Sequence, residues 1–163
     1  MILLGYIGNH RKDTLSARLG WALVRMAQAG ETFKRVTHCE ALLIGKASDV
    51  TMGGASLREG GVRIKRAALT PGHWVVLDVP AWDSAAAWKA IVAQQGQRYD
   101  WRGAAATVLW FLPHSRSAWF CSELLAHAAG LVDAHRYKPA TLFALAASLP
   151  GTRDITAELF EAD

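Results

Sequence analysis

This sequence predicts an α+β fold, with one helix, then an antiparallel sheet, then a helical second half. Three observations carry that expectation. Ile2 to Ile7 is a short apolar strand closed by Gly8-Asn9 and followed by helical spacing. From Arg35 to Val79, short apolar runs alternate with Gly and Pro signals. From Asp83 onward the spacing turns helical, with caps and stops in place.

In chain order, Thr14 or Ser16 caps a helix running to about Gln28, with Leu15, Leu19, Ala22, Leu23 and Met26 on its apolar face and Gly30 as its stop. Arg35 to Ile44 reads as a strand, and Asp49 to Leu57 as a weaker one broken by Gly53-Gly54. Gly61 to Ala67 alternates Val62 and Ile64 with Arg63 and Lys65, which predicts a half-exposed strand. The tight Arg58-Glu59-Gly60-Gly61 link suits a hairpin between these two. His73 to Val79 is a stronger strand ended by Pro80. Asp83 or Ser84 caps a helix over 85–95, stopped by Gly96. Trp101 to Leu112 is helical or irregular and ends at Pro113. Ser117 is the expected cap of a helix that holds Cys121, Leu124 and Leu125 and stops at Gly130. Pro139-Ala140-Thr141 opens the last helix, through about Ser148.

The chain has 163 residues, 52% of them apolar and 20% charged, so a single globular domain over 1–163 with a real core is expected. Seven tryptophans point to a rigid aromatic interior or an aromatic-lined groove. The net charge of +4 is spread along the chain, and a solvated strand edge explains the small Arg63, Lys65, Arg66 cluster at least as well as a phosphate-binding patch, so no nucleic-acid partner is expected. Two cysteines do not make a disulfide framework, and Cys39 should face away from His38 and Glu40. A Cys39–Cys121 bridge is disfavoured if the two lie on different faces of the sheet. No basic n-region or membrane-length apolar run occurs, so the default compartment is the cytoplasm, with export by another route left open. No histidine pair has HxxxH or HExxH spacing, and no GxGxxG or GxxxxGK[ST] pattern follows a strand. No metal and no cofactor is expected.

Cys121, in Trp119-Phe120-Cys121-Ser122-Glu123-Leu124-Leu125, sits where a helix begins. There the helix dipole and unpaired N–H groups favour a thiolate. The competing reading is a small buried core residue. A nucleophilic cysteine needs a base within reach and a third group to orient that base. Of six histidines, His38 stands out, because it shares a strand face with Glu40 inside the apolar run Val36-Thr37-His38-Cys39-Glu40-Ala41-Leu42. A sheet-edge histidine with Glu40 in solvent is the competing reading there. His10, His127 and His135 look solvated, His73 belongs to a turn, and His114 is a reserve base. Gly96-Gln97-Arg98-Tyr99-Asp100-Trp101, taken alone, reads as a helix stop and turn with Tyr99 packed and Asp100 in water.

Joined, these segments resemble a known family. Gly96-Gln97-Arg98-Tyr99-Asp100-Trp101-Arg102-Gly103, followed by Phe120-Cys121-Ser122-Glu123-Leu124-Leu125, is similar to the nucleophile region of NlpC-type papain-like cysteine peptidases. His38 precedes Cys121 by 83 residues, the reverse of the usual order. That order, with Cys-Ser-Glu, the Thr37-His38-Cys39-Glu40 strand and the Ala55-Ser56…Gly60-Gly61-Val62-Arg63 stretch, resembles the circularly permuted branch: YaeF/YiiX-like proteins, related to lecithin:retinol acyltransferases. The resemblance spans roughly residues 35 to 148. It implies a permuted papain-like fold, with an antiparallel sheet of four to six strands, partly barrel-like, packed against helices, and a catalytic Cys at a helix N-terminus.

The same resemblance implies Cys121 as nucleophile, His38 as base and Tyr99 as an assisting hydroxyl. For the third member Glu40 is the choice, with Ser56 in reserve and Asp49 and Thr51 as the other polar residues of the following strand. The implied activity is a cysteine hydrolase or acyltransferase acting on an amide, ester or thioester through an acyl-enzyme. Its substrate would be a small molecule, peptide or lipid, and Val108-Leu109-Trp110-Phe111-Leu112 is a run that would line an apolar pocket or simply fill the core. The alternatives are an inactive papain-like binding module and a structural or assembly protein of viral type.

Overall fold

The computed structural model of this chain describes residues 1–8, 22, 24–106 and 117–162. Five strands make the body of the sheet: β1 (Ile2–Tyr6), β2 (His38–Lys46), β3 (Asp49–Ser56), β4 (Gly61–Ala67) and β5 (Trp74–Asp78). After them come α1 (Ser84–Ala93), β6 (Arg98–Tyr99), α2 (Trp101–Ala106), β7 (Ala118–Trp119), α3 (Cys121–Ala128), α4 (Pro139–Ser148), β8 (Arg153–Asp154) and α5 (Thr156–Glu161). The fold is α+β, a curled, half-barrel mixed sheet packed with helices.

The sheet holds eight strands in the order β7-β6-β4-β3-β2-β1-β5-β8, not the four to six expected. The extra three, β6, β7 and β8, are two residues each, too short to carry a period-two signal. β6 and β7 pair in parallel, so the sheet is mixed and not purely antiparallel.

Both faces of the central strands are covered. On one face Leu3, Cys39, Ala41 and Ala55 pack with Trp88 and Ile91 of α1, Leu124 and Leu125 of α3, and Phe143 of α4. On the other, Leu4, Leu42, Val50, Met52 and Val76 are capped by Leu159 and Phe160 of α5. Each fully buried side chain of this size contributes about 2 kcal/mol. This two-sided cover explains why Ile2 to Tyr6 and Ala41-Leu42 read as continuous apolar runs and not as an alternation.

Several local expectations match. The β3–β4 hairpin closes at Ser56↔Gly61. Asp83 caps α1, its Oδ1 accepting from the N–H groups of Ala85 (2.9 Å) and Ala86 (3.0 Å). Two differ. Ser117 is not the cap of the cysteine helix, because Ala118–Trp119 is held extended by pairing with β6, so α3 starts at Cys121 with Phe120 as its N-cap. Arg63 does not sit on a solvated edge, since β4 lies between β3 and β6 and the side chain is largely buried. Most of the first expected helix, the 108–112 apolar run, His10 and His114 lie outside the described residues. Among the described residues, no helix is long and apolar enough to cross a membrane.

Candidate active site

The β2–β3 ladder, counted from the hairpin end, pairs Lys46 with Asp49 and stops at Ala41↔Gly53. Beyond that point β2 remains paired with β1 through Tyr6↔His38, while β3 remains paired with β4 through Ser56↔Gly61. The β2–β3 ladder ends there, and the first residue of α3 meets Cys39 just beyond that end. The Cys39 backbone N–H interacts with the Cys121 sulfur. The Cys39 thiol also hydrogen-bonds that sulfur.

The His38 imidazole hydrogen-bonds Cys121 as well. Its Nε2 lies 2.9 Å from Glu40 Oε1, which leaves Nδ1 for the sulfur. The Cys39 thiol donor, working against burial and joined by His38 and the Cys39 N–H, holds the Cys121 thiol well below its ordinary range. Burial pulls the His38 imidazole down, but the Cys121 sulfur and then Glu40 outweigh it and raise it to about 9. Both shifts favour a thiolate–imidazolium pair over a neutral thiol and imidazole. Burial with that thiolate alongside pushes Cys39 up, so Cys39 stays a protonated donor.

Glu40 is buried, and Arg63 Nη2 donates to the same Oε1 at 2.5 Å. Burial would raise this carboxyl, yet His38 and Arg63 bring it down to about 2. Its other oxygen, Oε2, is buried with no hydrogen-bond partner among the described residues. Arg63 also donates through Nη1 to the Gly54 carbonyl (2.9 Å) and through Nε to Glu59.

Tyr99 enters from β6, fixed by its N–H to the Gly60 carbonyl (3.0 Å) and by the parallel pairing with Trp119. Burial, then the nearby Cys121 and Cys39 sulfurs, raise its phenol well above the ordinary range, so it keeps its proton as a donor. Asp100 is buried, not in water: its Oδ1 accepts from the Gly103 N–H (2.8 Å) and caps α2. Glu123 is buried in the first turn of α3 and accepts from the Phe120 N–H at 3.4 Å. Burial, opposed by that N–H and reinforced by Asp100, raises it to about 7.

Of the residues the sequence singles out, Cys121, His38, Glu40 and Tyr99 converge. Asp49 lies at the far end of β3, ion-paired with Arg66, and Thr51 is opposite Arg66 in the register. Ser56 is buried at the hairpin end of β3. His127 is exposed on α3, its ring 4.9 Å from that of Trp119, and His73 packs edge-on to Tyr6 at 6.0 Å. Cys39 and Cys121 are both unbridged, but they meet on one side of the sheet instead of facing apart. Sequence reasoning passed over two participants, Cys39 and Arg63. Period two placed Cys39 on the face opposite His38, which holds, but beyond the end of the β2–β3 ladder one sulfur reaches both. Arg63 carried a usable signal, a glycine and an arginine placed to meet across a hairpin.

Among the described residues, no group of three His, Cys, Asp or Glu side chains could hold a metal ion. Comparison of the chain with protein-family models, curated proteins and solved structures finds no match, so what the site can do rests on its own geometry.

Proposed function

We propose that this protein is a cysteine hydrolase or acyltransferase of permuted papain-like type, cleaving an amide, ester or thioester bond through an acyl-enzyme. One observation carries the reading: the Cys121 sulfur at a helix start, hydrogen-bonded to an imidazole that Glu40 holds at 2.9 Å. Nucleophile, base and orienting carboxylate stand in the order that covalent catalysis needs.

In the first half-reaction the Cys121 thiolate attacks the carbonyl carbon. The carbonyl oxygen takes up the negative charge, which the N–H groups at the start of α3 and the Tyr99 hydroxyl receive. The His38 imidazolium gives its proton to the departing amine, alcohol or thiol. A thioester on Cys121 and a neutral His38 remain. His38 then takes a proton from water or an acceptor amine, which displaces the acyl group and returns the thiolate–imidazolium pair. Glu40 holds the ring orientation throughout. Exposed Trp101 and Leu57, at the sheet end where β6 meets the β3–β4 hairpin, fit an acyl-bearing or lipid substrate.

The test is trapping. After incubation with p-nitrophenyl acyl esters and acyl thioesters, intact-mass spectrometry should show one acyl group on the wild type and none on Cys121→Ala. Equal labelling of the folded Cys121→Ala variant would sink the assignment.

A further inference from the structure

Glu40, Gly54 and Arg63 form a row across three strands. Gly54 is directly opposite Arg63 in the β3–β4 register, and continuing the β2–β3 register beyond Ala41↔Gly53 sets Glu40 beside Gly54. Two strand spacings separate the outer members, about 10 Å, within the reach of an arginine side chain only if the middle strand offers no obstruction. Gly54 provides that passage. A Cβ there would lie 3.3 Å from Glu40 Cγ and 3.4 Å from Arg63 Nη1, tighter than ordinary contact. The guanidinium crosses the bare glycine, leaves one N–H on the Gly54 carbonyl and puts another on Glu40 Oε1.

Glu40 thus has both cationic partners on one oxygen. During turnover His38 must pass through its neutral form. A buried carboxylate with only a neutral imidazole for company would compete for the proton, since burial disfavours its charge. A permanent guanidinium removes that competition, because arginine does not titrate at working pH.

Resting on the reading of Cys121 and His38 as the reacting pair, we propose that Arg63 is a positioning residue of the site: threaded past Gly54, it holds Glu40 against His38 as a carboxylate throughout the cycle, so that the proton moves on the imidazole alone. Among the described residues, the other charged or titratable groups around this row include Tyr6 on β1 opposite His38, Cys121 from α3, Cys39 on β2, Tyr99 on β6, and Glu59 with its partner Lys65 behind Arg63.

The experiment follows the His38 ring by NMR against pH in the wild type, Arg63→Met, Arg63→Lys, Glu40→Gln and the double variant, with His38→Ala for assignment. In Arg63→Met the imidazole–carboxylate pair loses a nearby positive charge, so its proton leaves about one pH unit higher than in the wild type. Arg63→Lys keeps the wild-type midpoint. Glu40→Gln lowers it, and adding Arg63→Met to Glu40→Gln changes it no further, because Arg63 acts through the carboxylate. The double variant also lacks the buried unpaired charge that could unfold the single one. An Arg63→Met midpoint equal to or below that of the wild type, or an Arg63→Met shift of the same size with and without Glu40, overturns the proposal. Failure of the underlying reading looks different: wild-type Cys121 would then react with iodoacetamide at pH 6 no faster than an ordinary thiol.

Discussion

At the scale of single residues, the chemistry turns on which groups are charged at neutral pH. An ordinary thiol is about 0.3% thiolate at pH 6, whereas Cys121, held low by Cys39 and His38, carries a larger thiolate fraction. Less basic thiolates are weaker nucleophiles, so the net advantage in alkylation is on the order of tenfold to a hundredfold. Iodoacetamide rates from pH 4 to 9 should show it, with His38→Ala moving the rise toward that of a free thiol. Glu123 makes the opposite kind of statement. Its folded-state value, about 7, lies above that of an exposed glutamate, so the folded form binds the extra proton between about pH 4.5 and 7. Glu123 therefore favours folding at the acid end of that window and opposes it by up to a few kcal/mol above pH 7. Thermal melts should show a smaller loss of Tm from pH 5 to pH 8 in Glu123→Gln than in the wild type. Equal losses would place the proton elsewhere.

At the scale of elements, the site depends on how short pieces are pinned. β6 has two residues and is held by β4, where a Cβ on Gly61 would lie 2.0 Å from the Gln97 carbonyl oxygen. Gly61→Ala must push β6 away from β4, and Tyr99 moves with it. Overpacking of this kind costs about 1–3 kcal/mol. Urea denaturation should register that cost, and the rate of Cys121 acylation should fall with it, since the displaced hydroxyl no longer receives the oxyanion. Full acylation in a destabilised Gly61→Ala protein would remove Tyr99 from the mechanism. The start of α3 obeys the same logic. Phe120 follows a strand pairing and supplies no capping side chain, so Glu123 answers the Phe120 N–H from inside the helix.

At the scale of the whole molecule, the entry to β2 is tied to distant segments. Gln28 is fully buried; its Nε2 donates to the Val36 carbonyl (2.9 Å) and its Oε1 accepts from the Ala140 N–H (3.0 Å). One amide thus joins the segment before β2 to the first turn of α4. Removing it leaves two buried backbone groups without partners, each costing about 1–3 kcal/mol. Gln28→Leu should lower the urea midpoint markedly while m stays unchanged, and it should slow Cys121 alkylation by loosening the segment that sets His38. A wild-type midpoint would show that this bond stabilises nothing.

The order of the five long strands, the β3–β4 hairpin, the Asp83 cap, and the sharing of one strand face by His38 and Glu40 were all legible in the sequence, because each follows from spacing along a few neighbouring residues, whereas the last helix, α5, was not expected. Strand count, the true start of α3 and the burial of Asp100 were not, because two-residue strands and buried turns leave no periodic trace. The sequence by itself determined that a cysteine stands near a helix start and that a histidine and a carboxylate share a strand. Only the tertiary structure decided that the β2–β3 ladder ends at Ala41↔Gly53 with the Cys121 sulfur against Cys39, and that a bare Gly54 lets Arg63 reach Glu40. Those contacts join residues far apart in the chain, and no local pattern of propensity or period encodes where a ladder ends.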